Sequence, residues 1–331
     1  MADQRLVILD HDGGHDDLVA LCLLLAHPTQ VRVIGSVVTD ADCFVEHGFS
    51  ITGKLMTLMH AEEGLPLFPI GKSSLGGVNP FPSDWRWSAK NMEDLPCVNM
   101  PKHSALWESL YEANNRLRGE ELLADLVLKS DRKVTICVTG PLSNVAWCVE
   151  KYGESFTTKV EECIIMGGAV SVGGNVFIDG RTDGTAEWNI FWDPPAAKTV
   201  FDCTSLKKVM FTLDSTNHVP VTSSVVRQFG AQNEFLLSQF VGSAWASCTH
   251  HELMRPGDGY FAWDVLTAAY AVERSIADFY QEALDVVTEG DSEGRTVALH
   301  DEGRTDSVIA KNVDAGRFYS LVLDSMKRCK M

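Results

Sequence analysis

Four aspartates, Asp10, Asp12, Asp16 and Asp17, lie within eight residues at the end of the hydrophobic run LVILDHDGGHDD. In an extended strand, residues two apart project to the same side, so Asp10 and Asp12 would share a face. Asp16 and Asp17 would open the following helix, where the macrodipole favours carboxylates. One capping aspartate, one dipole-compensating aspartate and two solvated loop acids would be an ordinary account of such a turn. Four carboxylates around one strand-to-helix turn nevertheless exceed what a cap requires. A hard divalent cation, Mg²⁺ or Ca²⁺, is the simplest relief of their repulsion. A carboxylate beside such a cation can act as a general base toward water, or itself as a nucleophile.

To hold that turn the chain needs a buried strand before it and a helix after it. Short apolar runs alternate with helix-like stretches: RLVILD, DDLVALCLLLAHP, VRVIGSVVTD, CFVEHGFSITGKLMTLMH and PLFPIG. This alternation is the signature of βαβ units on a parallel sheet. KVTICVTG, VEECIIMGG and KKVMFTLD read as further strands, nearly continuous in apolar residues because both faces are covered. The reading is one α/β domain over residues 1–331, a doubly wound, mostly parallel sheet flanked by helices. RTVALH and DSVIAKNV would add a small antiparallel edge hairpin. Open sheets of this kind bind ligands beyond the carboxyl ends of their strands. Asp10 and Asp12, then Thr39, Asp40 and Asp42, then Thr139 and the glycines of MGGAVSVGGN would all gather at that rim. Two stretches, 71–101 and 171–195, have no clear period and read as long loops.

Composition narrows the partners. Hydrophobic residues at 45% and charged residues at 22% fit a soluble globular protein. A formal net charge of −17 is wrong for a protein that wraps a polyphosphate backbone, so a small molecule is expected rather than nucleic acid. The N-terminus has no signal architecture, and no apolar run reaches the roughly 18 residues of a membrane span. Nine cysteines without a CxxC pair read as buried thiols in a reducing, intracellular, cytoplasmic setting.

An Asp-x-Asp after a buried strand is similar to the first motif of haloacid-dehalogenase-type phosphatases, in which the first aspartate attacks phosphorus; Asp10 would be that nucleophile. A fuller resemblance is to the nucleoside hydrolases. LDHDGGHDD resembles their DxDxxxDD motif, and VTGPLSN, IMGGAV, GGN, AEWN and WDVLTAAY follow in order along most of the chain. SDWRWSAKN and FAWD resemble the purine-specific branch that prefers inosine, adenosine and guanosine.

The resemblance implies a homodimeric, Ca²⁺-dependent purine nucleosidase of purine salvage. Calcium would be held by Asp12, Asp17, Asp264 and the backbone carbonyl of Thr139, hard oxygens suited to it. Asp12 would be the general base toward a calcium-held water, Asp16 would bind a ribose hydroxyl, and Asp10 would support the loop from behind. Asn175, Glu187 and Asn189 match further ribose contacts, with Trp188 near that side. Trp85 and Trp263 match the pair that stacks on the purine, and such stacking favours its protonated form. Trp263 stands where the broad-specificity branch has a histidine acid. Asp42 would meet the imidazole edge of the base. His250, Arg255 and Tyr260 match a segment that closes over the site in relatives. Many relatives carry Asp-Pro-Gly where this chain has Asp12-Gly13-Gly14, a change that loosens the turn without removing a ligand. A third reading, binding of calcium or a nucleoside without turnover, would leave a base beside the metal with no purpose.

Overall fold

A computed structural model of the chain describes residues 4–248, 259–300, 303, 304 and 306–331. Its strands are β1 (Arg5–His11), β2 (Val31–Val38), β3 (Ile70–Lys72), β4 (Val134–Val138), β5 (Val160–Met166), β6 (Lys208–Phe211), β7 (Asp278–Gln281), β8 (Leu284–Val286), β9 (Thr296–Ala298) and β10 (Ser307–Lys311). Eight of them form one sheet in the order β3-β2-β1-β4-β5-β6-β10-β7, and β8 and β9 form a separate pair. Every neighbour in the large sheet is parallel except β7, which runs against β10. Successive strands step outward in one direction from β1 and in the other from β4. The crevice at their carboxyl ends is therefore the switch point where such sheets bind ligands.

Both faces of the sheet are covered, which explains the unbroken apolar strands. Val7 and Leu9 enter the core on one side and Ile8 the core on the other, as side-chain alternation requires. The helix after β1, α1 (His15–Leu25), is buried at ten of its eleven positions. It packs against the late helix Trp263–Val272, so a sequence with no polar face is what this position demands.

Two expectations need correction. RTVALH and DSVIAKNV do not pair with each other. β9 joins β8, while β10 inserts between β6 and β7. Ile309 and Ala310 are buried, so β10 is apolar enough for an interior place, and its local pattern does not name its partner. The stretch 71–101 is also less irregular than expected. It contains a 3₁₀ turn at Trp85–Trp87, a short helix at Ser88–Glu93 and another turn at Pro96–Val98. Ala89 and Met92, three apart, are the buried face of that short helix.

All nine cysteines are free thiols and eight are buried. Among the described residues no helix is long and apolar enough to cross a membrane.

Candidate active site

The acidic turn lies at the switch point. The Asp10 carbonyl accepts from Thr139 N at 2.8 Å and the His11 carbonyl from Thr39 N at 2.8 Å, tying the end of β1 to those of β4 and β2. Gly13 has φ +85°, and a Cβ there would lie 3.0 Å from Gly48 Cα. Proline, fixed near −65°, cannot make this turn. Asp12-Gly13-Gly14 is thus a turn that requires glycine, more than a loosened Asp-Pro-Gly. At Gly140, a Cβ would lie 3.0 Å from Asp12 N, so the chain leaving β4 runs directly against the acidic turn.

Asp12, Asp16, Asp17 and Asp264 are all buried. Asp17 accepts from Gly14 N at 2.7 Å and from the Thr139 hydroxyl. Asp12 Oδ2 accepts from Asp42 N at 3.1 Å. Asp16 accepts from the Tyr260 hydroxyl at 2.7 Å and from Asp264 N at 3.2 Å. Asp264 arrives there because its helix packs on α1. The carboxyls of Asp12 and Asp17 lie close enough to influence each other's ionisation, as do those of Asp16 and Asp264. Burial, compounded by the neighbouring aspartates, holds Asp12 and Asp264 well above the ordinary carboxylate range and pushes Asp17 up to about 7. Among the described residues no group of three or more His, Cys, Asp or Glu side chains is gathered in metal-holding geometry. The carboxyl oxygens are turned to each other and to protein donors.

A second group adjoins the first through Thr139. Asn189 Nδ2 donates to the Thr139 carbonyl at 2.8 Å, which leaves that oxygen a second lone pair. Glu187 caps the short helix Trp188–Trp192 and accepts from the backbone N–H of Gly168, Asn189 and Ile190. Burial raises its pKa. Asn175 Oδ1 accepts from Trp188 N at 3.1 Å. Asn175, Glu187, Trp188, Asn189 and Thr139 thus form one hydrogen-bonded set.

Aromatic rings border both groups. Trp188 stacks on Phe81 at 4.8 Å and meets Trp85 edge-on at 5.5 Å. Trp85 is 44% exposed, which leaves its indole free for a ligand. Trp263 packs edge-on against Tyr260 at 4.8 Å. Among the described residues the buried indole N–H groups of Trp188 and Trp263 have no partner, a cost of about 1–3 kcal/mol each that a ligand acceptor would relieve. Asp42 is partly exposed and leans over the acidic turn, since a Cβ on Gly14 would lie 2.7 Å from its Oδ2. Burial and then Asp12 and Asp16 hold its carboxyl high, against the pull of Arg86. His250 and Arg255 lie outside the described residues.

Asp10 is fully buried and accepts from Asn144 Nδ2 at 2.8 Å. A phosphatase nucleophile must reach its substrate, whereas Asp10 is engaged by Asn144 behind the acidic turn, which speaks against the phosphatase reading. Sequence reasoning missed two residues here. Asn144 belongs to VTGPLSN but reads as an ordinary helix start. Cys43 donates from N to the Asp12 carbonyl at 3.2 Å and from Sγ to the Gly13 carbonyl at 3.0 Å; a lone buried cysteine carries no signal of such a role.

Known proteins agree with this architecture. A solved inosine-uridine preferring nucleoside hydrolase from Bacillus anthracis superposes with a TM-score of 0.83 at 30% identity, covering 98% of this chain and 99% of that one. The purine-preferring ribonucleoside hydrolase from Gardnerella vaginalis does so with a TM-score of 0.75 at 21% identity, over 98% of each chain, which speaks to the fold alone. The pyrimidine-specific ribonucleoside hydrolase RihA of Shewanella sp. (strain MR-4) is 29% identical over 227 residues, 69% of this chain and 64% of that protein's own length. The family model described as inosine-uridine preferring nucleoside hydrolase matches residues 7–320. With nearly its whole length matched and its acidic turn at the switch point of the same fold, the chain belongs to the inosine-uridine preferring nucleoside hydrolase family.

Proposed function

We propose that the protein hydrolyses the N-glycosidic bond of ribonucleosides, purine ribonucleosides before pyrimidine ones, to free base and ribose. The observation that carries this reading is the buried group of four carboxylates, unrelieved by any lysine or arginine among the described residues and bordered by aromatic rings.

The donor chemistry fits a hard divalent cation. The acidic turn offers only oxygens, and burial with the neighbouring aspartates raises the pKa of Asp12 and Asp264 well above the ordinary carboxylate range, a strain that a positive charge would relieve. Asp12, Asp17, Asp264 and the Thr139 carbonyl would hold calcium. The ion would supply charge neutralisation and a place for hydroxyl and water oxygens. Asp12 then takes the proton of the attacking water, its Oδ2 steadied by Asp42 N–H. Asp16, Asn175, Glu187 and Asn189 orient the ribose. Their carboxylates favour the oxocarbenium character that develops as water oxygen bonds to the anomeric carbon and the bonding electrons leave with the base.

The names of similar proteins divide over the base, RihA being pyrimidine-specific and the Bacillus anthracis enzyme inosine-uridine preferring. The side chains favour a purine. Trp263 offers no proton to a leaving base, so the base takes its proton from solvent and activation falls to stacking by Trp85 and Trp263, which stabilises the protonated purine and gives little to a pyrimidine. The test is chromatographic measurement of base release from inosine and from uridine, with calcium and after exhaustive chelation. Calcium-dependent release from inosine well above that from uridine is expected, and Trp85→Ala should narrow the gap. No release from either nucleoside would overturn the hydrolase reading; faster release from uridine would overturn the purine preference.

A further inference from the structure

Asn144 lies in the first turn of the helix Ser143–Tyr152 and has no exposed surface. Its Nδ2 donates to Asp10 Oδ1 at 2.8 Å and to Thr39 Oγ1 at 2.9 Å, and its Oδ1 accepts from Ser73 Oγ at 2.7 Å. Both amide hydrogens and the carbonyl are therefore used. The three partners come from the carboxyl ends of different strands: Asp10 from β1, Thr39 from just after β2 and Ser73 from just after β3. Asn144 itself follows β4. One buried amide thus ties together four strand ends at the rim that carries the acidic turn.

We propose that Asn144 is a positioning residue for the reaction, holding the end of β1 so that Asp12, two residues beyond Asp10, stays in register with Thr139 and Thr39. The inference rests on the reading of Asp12 as general base. Backbone bonds alone fix the depth of the strand end, through Asp10 O to Thr139 N and His11 O to Thr39 N. The amide adds a lateral tie at Asp10, whose other oxygen, Oδ2, is buried without a partner among the described residues. With Oδ2 contributing nothing, Asn144 is the side chain that sets the orientation of Asp10. A shift of about 1 Å at a catalytic group is enough to cost about 100-fold in rate.

The test exchanges the two side chains. Asn144→Asp alone sets a carboxylate against Asp10 in a buried site. In Asp10→Asn/Asn144→Asp the amide lies on the other side, the Thr39 hydroxyl can turn to donate to the carboxylate now carried by the helix, and Ser73 donates to it as before, so every bond is remade and the two at Asp10 and Thr39 are reversed. Asn144→Asp should lower kcat about 10–100-fold with KM within about twofold. The exchanged pair should recover to within about threefold of wild type. A merely structural role would lower the thermal midpoint and leave kcat of the folded fraction intact, which overturns the inference, as does a pair no faster than the single variant. Should Asn144→Asp not fold, Ser73→Ala, which unlatches only the outer end of the network, should still lower kcat about threefold at unchanged KM, and an unchanged kcat there overturns it too. A wild-type protein that releases no base from inosine would instead remove the underlying reading of Asp12.

Discussion

The protein buries carboxylates at both ends of its sheet, and in opposite ways. At the amino ends of β5 and β6, Glu162 pairs with Lys207 at 3.1 Å and with Arg274, and Asp306 pairs with Lys208 at 2.6 Å and Arg304 at 3.3 Å. Burial pushes the Asp306 carboxyl up, but hydrogen bonds from Arg304 and Lys208 outweigh it and hold the group below its usual range. At the carboxyl ends of β1 and β4, Asp12, Asp16, Asp17 and Asp264 share a site with no such cation among the described residues; burial raises all four, and repulsion from neighbouring aspartates adds to it at Asp12, Asp17 and Asp264. Among the described residues each buried acid at one rim has its cation and those at the other have none, the pattern expected where a ligand is to meet the charge. Unpaired buried charge is too costly to be retained for stability.

The contrast breaks most visibly at Asp12. Replacing it with alanine should lower kcat about 10²–10⁴-fold, the usual worth of a positioned base, without lowering the thermal midpoint. Steady-state kinetics alongside a thermal melt decides this, and near-normal turnover would remove Asp12 from its role. The reverse pattern is expected at the other rim. Lys208→Met should cost about 3 kcal/mol in urea unfolding, the lower end for breaking a buried pair because Arg304 stays with Asp306, and should leave kcat of the folded enzyme unchanged. A loss of turnover at unchanged stability would mean that the amino-end pairs serve the reaction as well.

How far the sequence could be read follows the same division. The interior strands were legible because residues such as Ile8, Val138 and Ile164 are apolar at successive positions, a pattern that only a sheet covered on both faces produces. The place of β10 was not, since burial of Ile309 and Ala310 says that a strand is interior but not which strands flank it. The short helices of 71–101 are a turn or two long, too short to show a period. In the site, the acidic turn is legible from local crowding, whereas Asp264, Asn175, Glu187 and Asn189 are singled out only by family resemblance. The contact of Asp264 with Asp16 spans 248 residues and depends on two helices packing. Asn144 lies within VTGPLSN, yet a buried amide tying four strand ends looks in sequence like any asparagine at a helix start.

The finest test of the contrast is the stability of the metal-free protein. Asp264→Asn removes one charge from the crowded rim, and its amide can still donate to Asp16, so it should stabilise the metal-free fold by about 0.5–2 kcal/mol while impairing turnover. The pH dependence carries the same sign. Carboxyls whose folded pKa exceeds the unfolded value of about 3.9 bind protons more tightly when folded. They favour the fold below that value and lose their contribution as pH rises through the folded values, about 7 for Asp17 and about 8 for Asp10. Metal-free wild type should therefore lose thermal stability between about pH 5 and pH 8, and Asp264→Asn should lose less. Calcium, replacing the protons that hold the carboxyls together, should flatten the slope. Asp306 gives the opposite slope, since its depressed pKa lends stability that disappears only as pH falls below about 4. Thermal midpoints across this range, in chelator and in calcium, separate the two rims in one experiment. A flat metal-free profile, or an Asp264→Asn variant less stable than wild type, would mean that the acidic rim satisfies itself and was not left waiting for a cation.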